Sequence, residues 1–164
     1  MLVRLNERET YIAKLLARWR MNDSLRAGLA NVAGAARYLS LDVTGAVGEL
    51  AVAKALGLYP GFTVGTFKLP DVGAFQVRTT RCAGGRLLIR PGDADEDLFV
   101  LVSAQVQPDQ GWICELAGWC AGWEARRSLG EWMRPDTGRP AAWVVEQEKL
   151  HPMRELVHRE WVRG

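Results

Sequence analysis

Apolar residues recur at helical spacing near the start of the chain, and basic side chains occupy the faces between them. The apolar positions of this repeat are Tyr11, Ile12, Leu15, Leu16 and Trp19. The spacing predicts helix over residues 6–36, either as one long element or as two with a break at 22–24. A second run, residues 42–57, has almost no polar face, which predicts a helix packed on several sides.

Short β-rich runs bounded by turns fill the centre of the chain. The predicted strands are residues 62–67, 74–80, 86–90, 98–103, 111–116 and 139–145. The run at 98–103 is almost entirely apolar, which favours a central strand buried on both faces. Turn residues at 82–85 predict that the strands on either side of them pair as a hairpin. Further helices are predicted at residues 121–132 and 147–157.

This order of elements predicts an α/β protein that forms one compact domain. An N-terminal helical extension is expected at residues 1–40 and an α/β core at residues 41–164. A chain of 164 residues is long enough to bury a hydrophobic core. Apolar residues make up 48% and charged residues 24% of the chain, which is ordinary for a soluble globular protein.

The net charge of +2 is too small to indicate a nucleic-acid partner by itself. Four of the 21 basic residues are lysine, which leaves 17 arginines. Arginine binds phosphate through a planar, bidentate guanidinium, so this bias fits a nucleic-acid partner. A GC-rich genome gives the same bias without any function, and the sequence leaves both explanations open.

Three cysteines without a Cys-x-x-Cys pair predict reduced thiols in a cytoplasmic protein. Charged residues begin at Arg4, which is not the pattern of a signal peptide. No uncharged apolar run approaches the roughly 18 residues that a membrane-spanning helix needs. A soluble protein of the cytoplasm without a membrane partner is therefore expected, in the host cell if a phage encodes it.

The candidate chemistry lies in three short segments. Asp71 follows Pro70 in a turn, and Gln76 and Arg78 alternate along the next predicted strand, so both side chains face the same way. Glu49 is one of very few charged residues on the apolar helix. A buried charge costs several kcal/mol unless it is paired or bound to a metal. Carboxylate and amide oxygens are the ligands that Mg²⁺ takes in proteins.

The order of Glu49, Pro70-Asp71 and Gln76-Val77-Arg78 resembles the PD-(D/E)XK nucleases, the restriction-endonuclease-like superfamily, over about residues 41–104. The resemblance implies a mixed sheet flanked by helices and a DNA nuclease that depends on Mg²⁺ or Mn²⁺. Asp71 and Gln76 would then bind the metal and Glu49 a metal-bound water. Arg78 would offset charge on the phosphate. Four short blocks also resemble a group of small phage proteins that carries no established function with it: Pro-Asp-Val-Gly, Gln-Val-Arg-Thr-Thr, Arg-Pro-Gly-Asp and Phe-Val-Leu-Val.

Two positions depart from the nuclease pattern. Gln76 stands where a second carboxylate is usual, which weakens the expected metal affinity. Arg78 stands where lysine is usual, and an arginine always carries its proton, so it does not act as a base. Lys54 or Lys68 are the candidates to replace that lysine.

Residues 72–92 contain no acidic side chain, and their arginines would form a basic ridge beside Asp71 if the predicted hairpin forms. The residues predicted to bind nucleic acid in this way are Lys68, Arg81, Arg86 and Arg90. Binding of this kind weakens steeply with salt. The basic residues of the first helix form either a solvated surface or a second DNA-contacting face.

Two functions from different classes follow from these residues. The first is a Mg²⁺- or Mn²⁺-dependent nuclease of a phage or mobile element, without an organic cofactor, in which Glu49, Asp71 and Gln76 share one cation. The second is a catalytically inactive module of the same fold that binds nucleic acid or a host protein. In such a module Asp71 occupies ordinary turn geometry, and Glu49 is held in an ion pair.

Overall fold

The computed structural model describes residues 1–26, 35–61, 69–108, 111–134 and 140–157. Within these residues, four strands form the larger sheet in the order β1-β5-β4-β2. The strands are β1 (Leu2–Leu5), β2 (Phe75–Thr80), β4 (Leu98–Gln107) and β5 (Gly111–Ala121). β2 runs parallel to β4, and the other two pairs are antiparallel.

A smaller antiparallel sheet has the strand order β3-β7-β6 in the described part of the chain. Its strands are β3 (Leu87–Ile89), β6 (Glu131–Met133) and β7 (Ala142–Val145). The helices are α1 (Glu7–Arg26), α2 (Ala35–Leu56), the short α3 (Gly122–Glu124) and α4 (Arg154–Val157). A π-helical turn, Ala125–Leu129, continues α3, and Gln147–Lys149 forms a 3₁₀ turn.

The central strand β4 has two buried faces, as its apolar sequence predicts. Val100 and Val102 belong to a core that α1 and α2 complete on one side of the large sheet. Phe99 and Leu101 belong to a second core, which the small sheet closes on the other side through residues such as Ile89. The fold is therefore a mixed α/β arrangement in which helices cover one face of the sheet and strands cover the other.

Helix α1 begins with a reciprocal cap. The Glu9 backbone N–H donates to Asn6 Oδ1 at 2.9 Å, and the Asn6 N–H donates to Glu9 Oε2 at 2.7 Å. Each of these two residues satisfies a backbone donor that the helix leaves free at its start. Lys54 of α2 donates to the same Glu9 carboxylate at 2.9 Å, which ties the start of α1 to the end of α2.

The buried face of α1 differs from the predicted one. Ala13, Leu16 and Ala17 are buried, whereas Tyr11 and Trp19 are exposed. The two alanines let α1 approach the underlying core closely, so the helix packs through its small residues. The large apolar residues of the repeat that predicted the helix consequently point away from that core, with the exception of Leu16.

The predicted α/β class in one compact domain is confirmed, but several details differ. The chain starts with β1, which pairs with β5, and α2 crosses the predicted boundary at residue 40 without a break. The residues before 41 are therefore part of the same domain and are not purely helical. The hairpin between β2 and β3 is wrong, because β2 pairs with β4 and β3 pairs with β7. The predicted strand at 62–67 lies outside the described residues.

Candidate functional site

Glu49 lies on the inner side of α2, and its side chain is 7% exposed. Both of its carboxylate oxygens accept hydrogen bonds from Arg20 of α1, at 2.7 Å from Nη1 and 2.8 Å from Nη2. This is the bidentate geometry that arginine and carboxylate groups adopt in their strongest ion pairs. Arg20 follows Leu16 by four positions and Ala13 by seven, so α1 presents it on its buried face.

Asp71 is fixed in a tight turn before β2. The backbone N–H groups of Asp71 and Val72 donate to the Phe75 carbonyl at 2.9 and 3.1 Å, and Phe75 N–H donates back to Val72 at 2.9 Å. The Asp71 carboxylate then accepts the Val77 N–H through Oδ2 at 2.7 Å. Because β2 ends the strand order of its sheet among the described residues, Asp71 satisfies a donor that no described strand pairs.

Arg20 is surrounded by acidic groups. Burial by itself would lower its pKa, but the hydrogen bonds and charge of Glu49 outweigh burial and raise the pKa, with smaller contributions from Asp71 and Asp42. Burial also raises the pKa of each of these three carboxyl groups. The charge of Arg20 opposes the rise at Asp42 and Glu49, whereas at Asp71 the Val77 N–H and the charge of Arg78 oppose it more than Arg20 does. One oxygen of Asp42, Oδ2, is buried without a hydrogen-bond partner among the described residues. The guanidinium of Arg20 is therefore a cation that acts on all three of these carboxyl groups.

Gln76 and Arg78 lie on the opposite face of the sheet from Glu49. Thr79 packs against Gly48 of α2, so the odd-numbered residues of β2 face the helices. Arg78 accordingly reaches the second core, where it donates to Asp93 at 3.0 Å and lies 5.1 Å above the Phe99 ring. Gln76 is buried on that same face. The predicted meeting of Glu49 and Gln76 around one cation is not observed, because the sheet separates them.

The predicted metal site does not fit the residues present. Both oxygens of Glu49 are occupied by Arg20, and Asp71 Oδ2 is occupied by a backbone N–H. In the ranges for which the structure gives side chains, no group of three His, Cys, Asp or Glu residues has a geometry that could hold a metal ion.

The arginines of the predicted basic ridge do not share one hairpin in the described structure, because β2 and β3 belong to different sheets. Arg81 donates through Nε to Thr44 at 2.8 Å and lies 5.7 Å above the Trp112 ring. Arg86 and Arg90 flank β3 in the small sheet, and Arg86 pairs with Glu146 at 3.4 Å. Lys68, the remaining residue predicted to bind nucleic acid, lies outside the described residues.

A groove that was not predicted lies beside Arg81, with a cavity volume of about 350 Å³. Its lining residues are Arg81, Ala104, Gln105, Val106 and Trp112. The groove adjoins the carboxyl ends of the parallel strands β2 and β4, the edge at which α/β sheets commonly bind ligands. Nothing in the sequence pattern indicated this groove, because the turn signals predicted an antiparallel partner for β2.

The acidic segment from Asp93 to Asp97 ties neighbouring elements together. Asp93 accepts hydrogen bonds from the Arg78 side chain and from the Arg90 backbone N–H, at 3.0 and 2.8 Å. Asp95 pairs with Arg126 of the π-helical turn. These contacts connect β2 and the start of β4 to the second core.

The three cysteines are free thiols. Burial raises the pKa of Cys114 and of Cys120 to about 12, so both thiols of β5 stay neutral at physiological pH. Cys82 is exposed in the turn after β2. The buried pair contributes to the packing of β5 rather than to chemistry.

The raised pKa of Asp71 predicts a pH dependence of stability. Because the folded state binds this proton more tightly than the unfolded chain does, Asp71 contributes most to stability at low pH. Its contribution declines as the pH rises through the raised pKa of the folded state. The wild type should therefore gain stability relative to Asp71→Asn as the pH falls toward 3.8, the ordinary value of the carboxyl group.

Urea denaturation of the wild type and of Asp71→Asn, from neutral pH down to 3.8, measures the difference in their free energies of unfolding. The asparagine side chain of the variant retains an oxygen that accepts the Val77 N–H, so the comparison isolates the charge. A wild type that instead loses stability relative to the variant as the pH falls would contradict this assignment, since that is the behaviour of a carboxylate stabilised by an ion pair.

Comparison of the chain with protein-family models, with curated proteins and with solved structures yields no significant match. The resemblance to PD-(D/E)XK nucleases therefore stays a prediction from the motif. Among the helices that the structure describes, none is both long enough and apolar enough to cross a membrane.

Proposed function

We propose that this protein is a nuclease-like domain that binds nucleic acid without cutting it. The observation that supports this best is the ion pair between Arg20 and Glu49. It supplies an internal positive charge in the acidic cluster where the motif predicts a metal ion. The Mg²⁺- or Mn²⁺-dependent nuclease is the competing proposal.

The energetics of the cluster favour this proposal over a metal site. A metal ion would have to displace Arg20 from Glu49, which breaks the bidentate ion pair of a largely buried guanidinium. Breaking one side of a buried ion pair costs about 3–5 kcal/mol, and metal binding would have to overcome that cost first. Gln76 and Arg78 do not offset this cost with contacts to the metal site, because both side chains face the second core.

The surface of α1 supports nucleic acid as the partner. Arg8, Lys14 and Arg18 are exposed, and none of them forms an ion pair with another described residue. The acidic residues Glu7 and Glu9 lie at the start of the helix, where Glu9 is paired with Lys54. Unpaired arginine and lysine side chains on one element are the usual source of affinity for a phosphate backbone.

A fluorescence anisotropy titration with labelled DNA at several salt concentrations tests this proposal. The triple variant Arg8→Gln, Lys14→Gln and Arg18→Gln should bind more weakly and flatten the salt dependence by about two units of slope for a single strand. The matched triple variant Arg86→Gln, Arg90→Gln and Arg127→Gln removes three arginines elsewhere and should bind as the wild type does. A wild type that binds no DNA at low salt would refute the proposal.

A further inference from the structure

The outward face of α1 carries an apolar stripe. Tyr11, Ile12 and Trp19 are 62%, 39% and 58% exposed, and Leu15 between them is half-buried. Residues four apart on a helix lie on one side of it, so these side chains form a continuous strip. The core contacts of α1 are made by Ala13 and Leu16, and Ala17 is also buried on the side away from Tyr11.

Exposed apolar groups that cluster in this way on a soluble domain usually mark a binding surface. The surroundings of the stripe favour a polyanion. Arg8, Lys14 and Arg18 border it, and they are the exposed basic residues of α1 without an ion pair in the described part of the chain. On the other border Asp23 is 4.0 Å from Arg26, which offsets its charge.

We propose that this face binds single-stranded nucleic acid, with bases stacked on Tyr11 and Trp19 and phosphates bound by Arg8, Lys14 and Arg18. The inference rests on the proposed function and adds to it the strandedness of the ligand and the side chains that recognise it. Aromatic side chains beside basic ones are the combination that single-strand binding requires, because bases stack on the rings while the cations follow the backbone.

The spacing of the two rings fits two separately stacked bases. Tyr11 and Trp19 are eight residues apart, which corresponds to roughly 12 Å along the helix axis. A duplex keeps its base faces covered by their neighbours in the stack, so it offers this surface its phosphates only. Single strands should therefore bind more tightly than duplexes of the same length.

The test compares a fluorescein-labelled 20-nucleotide oligothymidine with a 20-base-pair duplex in the same anisotropy assay. The double variant Tyr11→Ala and Trp19→Ala should lose affinity for oligothymidine by about 30-fold, and its affinity for duplex should change little. The variant Tyr11→Phe and Trp19→Phe keeps both rings and should retain most of the affinity. The matched control is Tyr59→Ala and Trp123→Ala, which removes the same two residue types from exposed positions outside α1 and should bind normally.

The outcomes separate this inference from the proposed function. If the double alanine variant binds oligothymidine like the wild type while the charge variant of α1 does not, the stacking inference is refuted and nucleic-acid binding stands. If the wild type binds neither oligothymidine nor the duplex, both the stacking inference and the proposed function are refuted. Two further results for the double alanine variant, each with oligothymidine binding unchanged, would refute the inference. Loss of binding to vesicles of phosphatidylserine and phosphatidylcholine would assign the stripe to a membrane. Loss of a wild-type dimer in size-exclusion chromatography would assign it to a second copy of the chain.

Discussion

Replacing Arg20 by methionine is expected to lower the free energy of unfolding by about 3–5 kcal/mol. The substitution keeps the length and apolar stem of the side chain but leaves Glu49 buried and charged with no partner for either oxygen. The charges of Asp71 and Asp42 add repulsion, since both contribute to the raised pKa of Glu49. Urea denaturation at pH 7 measures the loss.

Two further variants show whether the loss comes from the broken ion pair. Arg18→Met removes an exposed cation two residues away on the same helix and should change stability by less than about 0.5 kcal/mol. Arg20→Met combined with Glu49→Leu replaces the whole pair with apolar groups and should recover most of the loss. A loss below about 1 kcal/mol in the single variant would contradict a buried, charged Glu49.

The second large effect is expected at Gly48, where α2 packs directly against Thr79 of β2. A Cβ at this position would overlap Thr79 Oγ1 and lie 3.0 Å from the Thr79 Cβ. Gly48→Ala should therefore destabilise the protein by about 1–3 kcal/mol, the usual cost of overpacking a core. Thermal unfolding followed by circular dichroism measures the change.

Gly45 provides a matched control on the same helix. A Cβ added there meets nothing within 4 Å, so Gly45→Ala should raise stability by about 0.5–1 kcal/mol through helix propensity alone. Thr79→Ala combined with Gly48→Ala removes the overlapping hydroxyl, which has no hydrogen-bond partner in the described structure, and should recover part of the loss. Equal effects of alanine at Gly45 and Gly48 would contradict the close approach.

The sequence predicted α2 from residue 42 onward and the buried strand β4, because these runs are almost uniformly apolar and need no partner to be recognised. It predicted the wrong buried face for α1. A hydrophobicity pattern gives most weight to large residues such as Tyr11 and Trp19, whereas this helix packs through alanines. The partner of Glu49 was missed for the same reason, since Arg20 belongs to the alanine face. The signal that could have identified this partner is an arginine four residues after Leu16 and seven after Ala13, on the buried face of the helix.

The pairing of β2 depended on information that local sequence does not hold. The turn after β2 forms, and the Gly85 N–H donates to the Cys82 carbonyl at 3.1 Å. The chain then continues into the small sheet, because Leu87 and Ile89 are buried in the second core rather than beside β2. Alternation along β2 correctly predicts one common face for Gln76 and Arg78. The alternation does not tell which face of the sheet these two side chains occupy, because that depends on the face against which α2 packs.

The most direct test of the account is a combined binding and cleavage assay. Labelled oligothymidine and linear duplex DNA are incubated with the wild type and with Asp71→Asn, in Mn²⁺ or in a chelator, and each sample is divided between anisotropy and a denaturing gel. We expect the same DNA affinity with and without Mn²⁺ and intact DNA in every sample. Cleavage by the wild type that requires Mn²⁺ and disappears in Asp71→Asn would contradict the account and establish a metal-dependent nuclease.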